Sequence, residues 1–431
     1  MLRVGLTGGI ACGKSQVRRA LAARGLAVLD LDGLGHAVMA AGGEAHREVV
    51  QAFGASVLGR DHEVDRRALA SLVFADAGAR ERLERIVHPR VRSEEARRAR
   101  ELAAAGHQVL VSEAALLVEA GAHLRFDRLV VVACPPEEQL RRLMRRDGLP
   151  EAKARARIEA QMPIGEKRRF AHLVVDTDGT PGETDLAADR LADALLQLAA
   201  RPASLRPPTV EAVVGALSCG QTAGPRALSP LALLQQALAA GEVDLGLLSR
   251  QLQPATGAAW YRAARPGQGE PLPEALAAPL ALWAAARGRD GEWLAAAAAS
   301  LARLTHDQPE AVAGAVLAAL AAAAVVAGEG PATLPERLAG WGALAARWGL
   351  ASPPSRIAVA VAAAAAAWAS DCAGARQAAA AQGADPALAG ALVGLARGKA
   401  VESAGEQAAL VARRLSGAGN DASTGASYIN E

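Results

Sequence analysis

The sequence is poor in cysteine, lysine and aromatic side chains, and it has almost no net charge. Its 431 residues include four cysteines, Cys12, Cys134, Cys219 and Cys372, far apart and in no C-x-x-C pattern. That spacing argues against a disulfide framework and against a cysteine-based zinc site. With 47 basic against 45 acidic residues, the formal charge is +2. Recognition of nucleic acid or of a membrane surface by bulk charge is therefore not expected. Uninterrupted apolar runs of about 18 residues with membrane flanks are not found, Ala358–Ser370 coming closest but short and alanine-dominated. The start, MLRVGLTGG, reads as a strand and a glycine turn rather than a cleavable leader. A cytoplasmic chain of two or three domains, able to bury a sizeable core, is the expectation.

The composition changes near residue 200. Charge density roughly halves there and alanine takes over. Residues 201–208 (RPASLRPP) contain three prolines and read as a linker. Before the linker, short apolar runs at Leu2–Leu6, Leu26–Leu29, Gln108–Val111, Arg128–Ala133 and Leu173–Val175 alternate with arginine- and glutamate-rich helical stretches, one of them Ser15–Arg24. This alternation predicts an α/β domain over residues 1–200, a parallel sheet flanked by helices. After it, residues 209–420 carry long Ala/Leu stretches such as Pro309–Val326 and Arg356–Ser370, punctuated by Gly and Pro. Alanine has the highest helix propensity, so a C-terminal all-α domain is expected there. Residues 421–431 read as a polar, glycine-rich tail.

Gly8-Gly9-Ile10-Ala11-Cys12-Gly13-Lys14-Ser15 fits G-x-x-x-x-G-K-[ST] between a strand and a helix, the context that confirms a phosphate-binding loop. Its glycines let successive backbone N–H groups converge on phosphate oxygens, and the helix N-terminus adds partial positive charge. Lys14, one of only four lysines, can reach β- and γ-phosphates, and the Ser15 hydroxyl can ligate Mg²⁺. The second apolar run ends Val28-Leu29-Asp30-Leu31-Asp32. If this strand lies beside the loop strand, its end brings an aspartate to the γ-phosphate as a general base. If the strand continues, Asp30 and Asp32 share a face. The competing reading is a helix cap. Arg141, Arg142, Arg145, Arg146, Arg155, Arg157, Lys167, Arg168 and Arg169 form a cationic array suited to a lid over phosphates, or to a solvated helix face.

Taken in order, the motifs of residues 1–200 resemble the dephospho-CoA kinase family. They are Leu6–Ile10, Asp30-x-Asp32, Asp65-Arg66 with Leu69, Val73-Phe74-x-Asp76, Arg80, Leu83-Glu84, Ile86-Val87-His88-Pro89, Leu116-Leu117-Val118-Glu119, Gln139-x-x-Arg142, Arg146, Gln161 and Gly179. The resemblance implies a P-loop kinase that uses ATP and Mg²⁺ to phosphorylate the ribose 3′-hydroxyl of dephospho-CoA. It implies Asp32 as the base, Lys14 and Arg142 as catalytic partners, and Ser15 as metal ligand. Nucleotide binding is carried over to Gly8, Gly9, Ile10, Ala11, Cys12, Gly13, Lys14, Ser15, Gln16 and Arg146, and CoA binding to the helical part around Asp65–His88. The sequence departs from the family pattern at Ala11-Cys12, Gln16, Ala115, Ala171-His172 and Thr177-Asp178, the last pair expected near the adenine.

The second half is weakly similar to the ADP-ribosylglycohydrolase fold through Gly215–Gly224, Ala278–Leu282, Leu304–Pro309 and Gly383-Ala384-Asp385. The carboxylate clusters that hold paired metal ions in working members are missing or reduced to Asp385. A catalytically inactive relative with a regulatory or binding role is the implication, an unrelated alanine-rich bundle the alternative. A hydrolase or a nucleotide-sensing module are the further readings, and His306 is read as a turn residue rather than a ligand.

Overall fold

The computed structural model describes residues 1–59, 61–200, 277–304, 308–330 and 333–341, with scattered positions between 344 and 393. The packing separates two compact units. One comprises Met1–Glu119 with Phe126–Arg201, the other Ala120–Arg125 with the chain from Pro202.

The first unit is built on five parallel strands in the order β2-β3-β1-β4-β5. They are β1 (Leu2–Gly8), β2 (Ala27–Asp30), β3 (Val109–Glu113), β4 (Arg128–Ala133) and β5 (Leu173–Asp176). The inner strands are nearly continuous Val/Leu runs because helices cover both faces, leaving no solvent side for alternating polar residues. Val4, Leu6, Val111, Val130 and Val132 pack with Val17 and Leu21 of α1 (Lys14–Ala23) and with Leu191 and Leu195 of α9 (Pro181–Ala199). Each such side chain, fully buried, contributes about 1.5–3 kcal/mol. Helix α9 starts at a capping box, Thr180 with Glu183, and Pro181 occupies its first turn.

Two sequence expectations change here. Strand β2 pairs with β3 and not with β1, so β3 stands between the Asp30 strand and the loop strand. Nor does β2 continue past Asp30, for α2 (Leu31–Met39) begins at the next residue. Asp30 and Asp32 therefore share no strand face.

A second, smaller core lies beyond β2. Val38, Val49, Val57, Leu69, Ile86 and Val87 pack together from α2, α3 (His46–Phe53), the turn Ala55–Val57, α4 (Arg66–Ala75) and α5 (Ala77–Ala104). The motif aspartates in this region begin helices. Asp65 accepts from the Arg67 and Ala68 amides at the start of α4, and Asp76 accepts from the Gly78 amide at the start of α5. On the other flank lie α6 (Pro136–Asp147), α7 (Glu151–Glu159) and α8 (Ile164–Arg169).

The described part of the second unit is helical, with α10 (Ala277–Ala286), α11 (Gly291–Ala302), α12 (Pro309–Val326), α13 (Leu334–Gly340) and α14 (Cys372–Ala381). Trp293 to Ala302 and Ala311 to Val325 are buried at every position. A helix apolar all round belongs inside, and alanine lets neighbouring helices approach closely. Among the described residues, α12 is the one helix long and apolar enough to cross a membrane, with mean hydropathy 2.0; 83% of that stretch is buried by protein. The segment Ala120–Arg125 is held within this unit. Trp293 Nε1 donates to Leu124 O at 3.1 Å, and His123 Nε2 lies 2.9 Å from Ser300 Oγ. Cys372 is in a disulfide, which its spacing from the other cysteines did not suggest. The segments 201–208, 209–276 and 421–431, most of Arg356–Ser370, His306, and the Gly215–Gly224 and Gly383–Asp385 motifs lie outside the described residues.

Candidate active site

In register across the sheet, Leu6 is opposite Glu113, Asp30 opposite Glu113, Gly8 opposite Val132, and Ala133 opposite Asp176. The strand ends therefore bring the loop, two carboxylates and the β5 turn to one edge, where open α/β sheets bind ligands.

The loop Gly8–Ser15 runs from β1 into α1. At Gly8 the Val132 carbonyl oxygen lies 2.2 Å from where a Cβ would stand, so any side chain would force the two strands apart. Gly13 takes a left-handed conformation at φ 87° and caps α1 without a side chain. Ala11 also has positive φ, 61°, a left-handed conformation that a side chain disfavours. Lys14 Nζ donates to Gly8 O at 3.0 Å and Gly9 O at 3.1 Å. Burial, then the neighbouring charge of Lys167, holds its pKa below the usual lysine value. Ser15 is exposed beside it, its hydroxyl open to a ligand.

The loop is braced from three sides. Ile10 N–H donates to Gln161 Oε1 at 2.8 Å, and Gln139 Nε2 donates to Ile10 O at 2.9 Å. Thr177 Oγ1 donates to Cys12 O at 2.8 Å, and Arg142 donates to Thr177 Oγ1 at 3.2 Å and to the Thr177 carbonyl. Arg142 also pairs with Glu138. Gln16 Nε2 donates to Pro181 O at 2.8 Å and Asp185 Oδ1 at 2.9 Å, so its side chain ties α1 to α9. Thr177, expected near the adenine, is thus a support of the loop backbone. His172 extends the β4–β5 pairing, its Nδ1 accepting from Leu129 N–H at 2.9 Å.

The two aspartates divide the roles that the sequence left open. Asp30 is the helix cap, its Oδ1 accepting from Gly33 N–H at 2.8 Å while Arg18 lies 2.9 Å from Oδ2. Burial works to raise its pKa, but the Gly33 N–H and Arg18 outweigh it and the pKa falls. Asp32, in the first turn of α2, reaches solvent with its Oδ2 3.4 Å from Ala115 N. Protein packed around it removes water and raises its pKa; the Ala115 N–H opposes this and Asp30 adds to it.

Sequence reasoning missed Glu113. It ends β3 with 8% exposure, 3.0 Å from Arg18 Nε. Burial lifts its pKa, against the pull of Arg18 and Lys14. An acidic residue closing a β-branched strand next to a loop strand is the position of a magnesium-holding carboxylate in P-loop enzymes, and that was the available signal.

A buried ion pair was missed too. Lys167 is fully buried, 2.8 Å from Glu119 Oε1, and donates to Ala115 O at 3.1 Å. Glu119 Oε1 also accepts from Met162 N–H at 3.0 Å, and Thr7 Oγ1 donates to Ala115 O at 3.0 Å. Much of the expected cationic array is spent on surface pairs. Arg141 bonds Glu138, Arg146 and Arg157 bond Asp147, Arg155 bonds Glu151, Arg168 bonds Asp176, and Arg169 bonds Glu166. Arg142 reaches the loop through Thr177, whereas Arg146, at the end of α6, is turned to Asp147.

A family model described as dephospho-CoA kinase matches residues 2–183. A dephospho-CoA kinase of Geobacter sulfurreducens is 47% identical over 182 residues, 42% of this chain and 92% of that relative. One from Anaeromyxobacter dehalogenans is 47% identical over 188 residues, 44% of this chain and 89% of the relative. The chain belongs to the dephospho-CoA kinase family. A solved dephospho-CoA kinase of Campylobacter jejuni is 22% identical, with a TM-score of 0.33, covering 45% of this chain and 96% of that one. The family match takes in the loop, Asp32, Glu113 and the Glu119–Lys167 pair, all within residues 2–183.

The Ala11 conformation yields a direct test. A left-handed alanine costs about 1–2 kcal/mol, part of which glycine returns as chain entropy. Ala11→Gly should therefore raise the unfolding free energy of the first unit by about 0.5–1 kcal/mol. Urea unfolding followed by circular dichroism reads this, and an unchanged or lowered midpoint would show that the strain is not there.

Proposed function

We propose that the chain transfers the γ-phosphoryl group of ATP to the ribose 3′-hydroxyl of dephospho-CoA, giving CoA and ADP. The observation that carries this reading is the meeting of a phosphate loop and a carboxylate of raised pKa at one sheet edge, close enough that Lys14 and Asp32 shift each other's protonation. A carboxylate of raised pKa is a better proton acceptor than an ordinary aspartate.

The loop amides, set by Gly8 and Gly13, receive the phosphate oxygens. Lys14 exchanges the Gly8 and Gly9 carbonyls for β- and γ-phosphate oxygens, which replaces weak neutral acceptors by charged ones. Arg142, oriented by Glu138 and Thr177, is positioned to offset charge that spreads over the equatorial oxygens. Asp32 takes the proton of the attacking hydroxyl, its orientation maintained by the Ala115 amide. The oxygen donors Ser15 and Glu113 suit a hard cation; Mg²⁺ held there would neutralise charge on the bridging phosphates. Gln161 and Gln139 keep the loop in shape at Ile10, while Arg146 and Gln16 support binding from the periphery. The helical part around Asp65–His88 receives the CoA portion of the acceptor.

The helical unit has a regulatory or binding role in this reading. Its support is that it takes in Ala120–Arg125, the chain directly after Glu119, whose carboxylate holds Lys167 and the Met162 amide. A catalytically inactive ADP-ribosylglycohydrolase relative remains the family suggested for it.

Three outcomes are expected. ADP release should require dephospho-CoA, with CoA identified by mass, and Asp32→Asn should lower kcat about 10²–10⁴-fold, with Lys14→Ala also abolishing most turnover. ATP hydrolysis indifferent to dephospho-CoA would refute the acceptor. Asp30→Asn keeps the helix cap but removes a negative charge that raises the Asp32 pKa. Activity is lost as pH falls through the Asp32 pKa, so the acidic limb of kcat/KM should move to lower pH; an unmoved limb would mean that another group is the base. Ending the chain at Pro208 should raise KM for dephospho-CoA, because Ala120–Arg125 lose Trp293 and Ser300; unchanged kinetics would leave the regulatory role without support.

A further inference from the structure

Cys12 and Cys134 meet inside the first unit although 122 residues separate them. Cys12 lies within the phosphate loop and is fully buried; Cys134 follows the last residue of β4 and is 4% exposed. Both are free thiols, and Cys134 Sγ donates to Cys12 Sγ across 3.4 Å. The pairing of β1 with β4, Gly8 opposite Val132, is what brings them together. Phosphoryl transfer uses neither sulfur, since the loop holds phosphates through its amides.

The two thiols are not equivalent. The Cys134 hydrogen bond, partly opposed by burial and helped by Lys14, lowers the Cys12 pKa to about 7. Donating that bond pushes the Cys134 thiol up. One sulfur is thus partly thiolate near neutral pH, and a second stands against it. This is the arrangement in which a nucleophilic and a resolving thiol act in sequence.

We propose that Cys12 and Cys134 are a site of reversible oxidation by a peroxide, and that the disulfide formed there switches off nucleotide binding. In the first step the Cys12 thiolate attacks one peroxide oxygen. An S–O bond forms, the O–O bond breaks and hydroxide leaves, giving a sulfenic acid. In the second step Cys134 sulfur attacks the Cys12 sulfur. The S–S bond forms, the S–O bond breaks, and the hydroxyl leaves as water with the Cys134 proton. In sum, two thiols and one hydrogen peroxide give one disulfide and two waters, the sulfurs losing the two electrons that the peroxide gains. A dithiol reverses the change by exchange. Peroxide is named because the pair is buried, and a small oxidant reaches it more readily than a bulky disulfide.

The effect on the loop follows from its geometry. A disulfide sets the sulfurs about 2.05 Å apart, so they must close by about 1.4 Å. Cys12 lies between Ala11 at φ 61° and Gly13 at φ 87°, with its carbonyl on Thr177 and its amide on Gly9 O. Its sulfur cannot move far without displacing amides that must point at phosphate. The proposal rests on the reading of this loop as the ATP phosphate site and is independent of the acceptor.

The test uses the full-length protein and its Cys134→Ala variant, each treated with hydrogen peroxide. ATP binding is then measured by calorimetry, and peptides are mapped without reduction. For the wild type, a cross-link between the Cys12 and Cys134 peptides is expected. ATP affinity should fall about tenfold or more and recover with dithiothreitol. Before peroxide Cys134→Ala should bind ATP like the wild type; after it the variant should form no cross-link and lose less affinity, since its Cys12 lacks the hydrogen bond that lowers its pKa and oxidation can stop only at the sulfenic acid. Absence of the cross-link, or undiminished ATP affinity in cross-linked protein, would overturn the proposal, as would an equal reversible loss in Cys134→Ala. Because ATP binding is read directly, failure of dephospho-CoA turnover would strike the acceptor reading alone. Failure of the untreated protein to bind ATP would overturn the loop reading and, with it, the proposed switch.

Discussion

The close approach of Gly8 to the Val132 carbonyl is the constraint on which the site depends. It lets β1 run against β4 to its very end, so that the phosphate loop and its backbone amides begin directly where the sheet stops. Everything nearby then holds that turn in place: Gly13 in left-handed geometry, the Thr177 hydroxyl on Cys12 O, and the two glutamines on either side of the Ile10 peptide. The cost of ordering these amides is met by folding, so a phosphate need not meet it on binding.

A second set of contacts joins the loop to the other half of the chemistry. Ala115 lies at its centre. Its carbonyl receives Thr7 and Lys167, and its amide faces Asp32. Lys167 is in turn neutralised by Glu119, which also accepts the Met162 amide just before α8. Charges this deep are costly unless paired, and removing one member would leave the other stranded. The Glu119 motif thus has a physical content: it pairs a buried lysine where that lysine orders the strand-end backbone. The same positive charge bears on Lys14 and weakens its hold on its proton.

The second unit is stabilised in another way. Its helices α11 and α12 are buried nearly all round, and their alanines trade side-chain contact for backbone proximity. Three polar contacts stand out against this background, from Trp293, Ser300 and Arg289 to the segment Ala120–Arg125. A buried hydroxyl and indole N–H need partners, and the segment supplies them. The polypeptide that carries Glu119 therefore passes directly into the helical unit.

Much of this was legible in the residues. The five strands were placed to within a residue or two by their short apolar runs, because strands covered on both faces are largely apolar. The phosphate loop was legible because its conformation demands glycine at set positions, and the dephospho-CoA kinase resemblance because its motifs recur in order across residues 1–200. What tertiary structure alone decided was adjacency. Strand order places β3 beside β1, which exposes Glu113 as a site residue and displaces β2 by one strand. It assigns capping to Asp30 and sets Asp32 in the first turn of α2, against the Ala115 amide. It buries Lys167 against Glu119 while its neighbouring arginines pair at the surface, and it brings Cys12 against Cys134. A sequence specifies local geometry through periodicity and φ preference, which act over a few residues. Which distant side chains share a pocket is set by the pairing of whole strands, and no local preference records it.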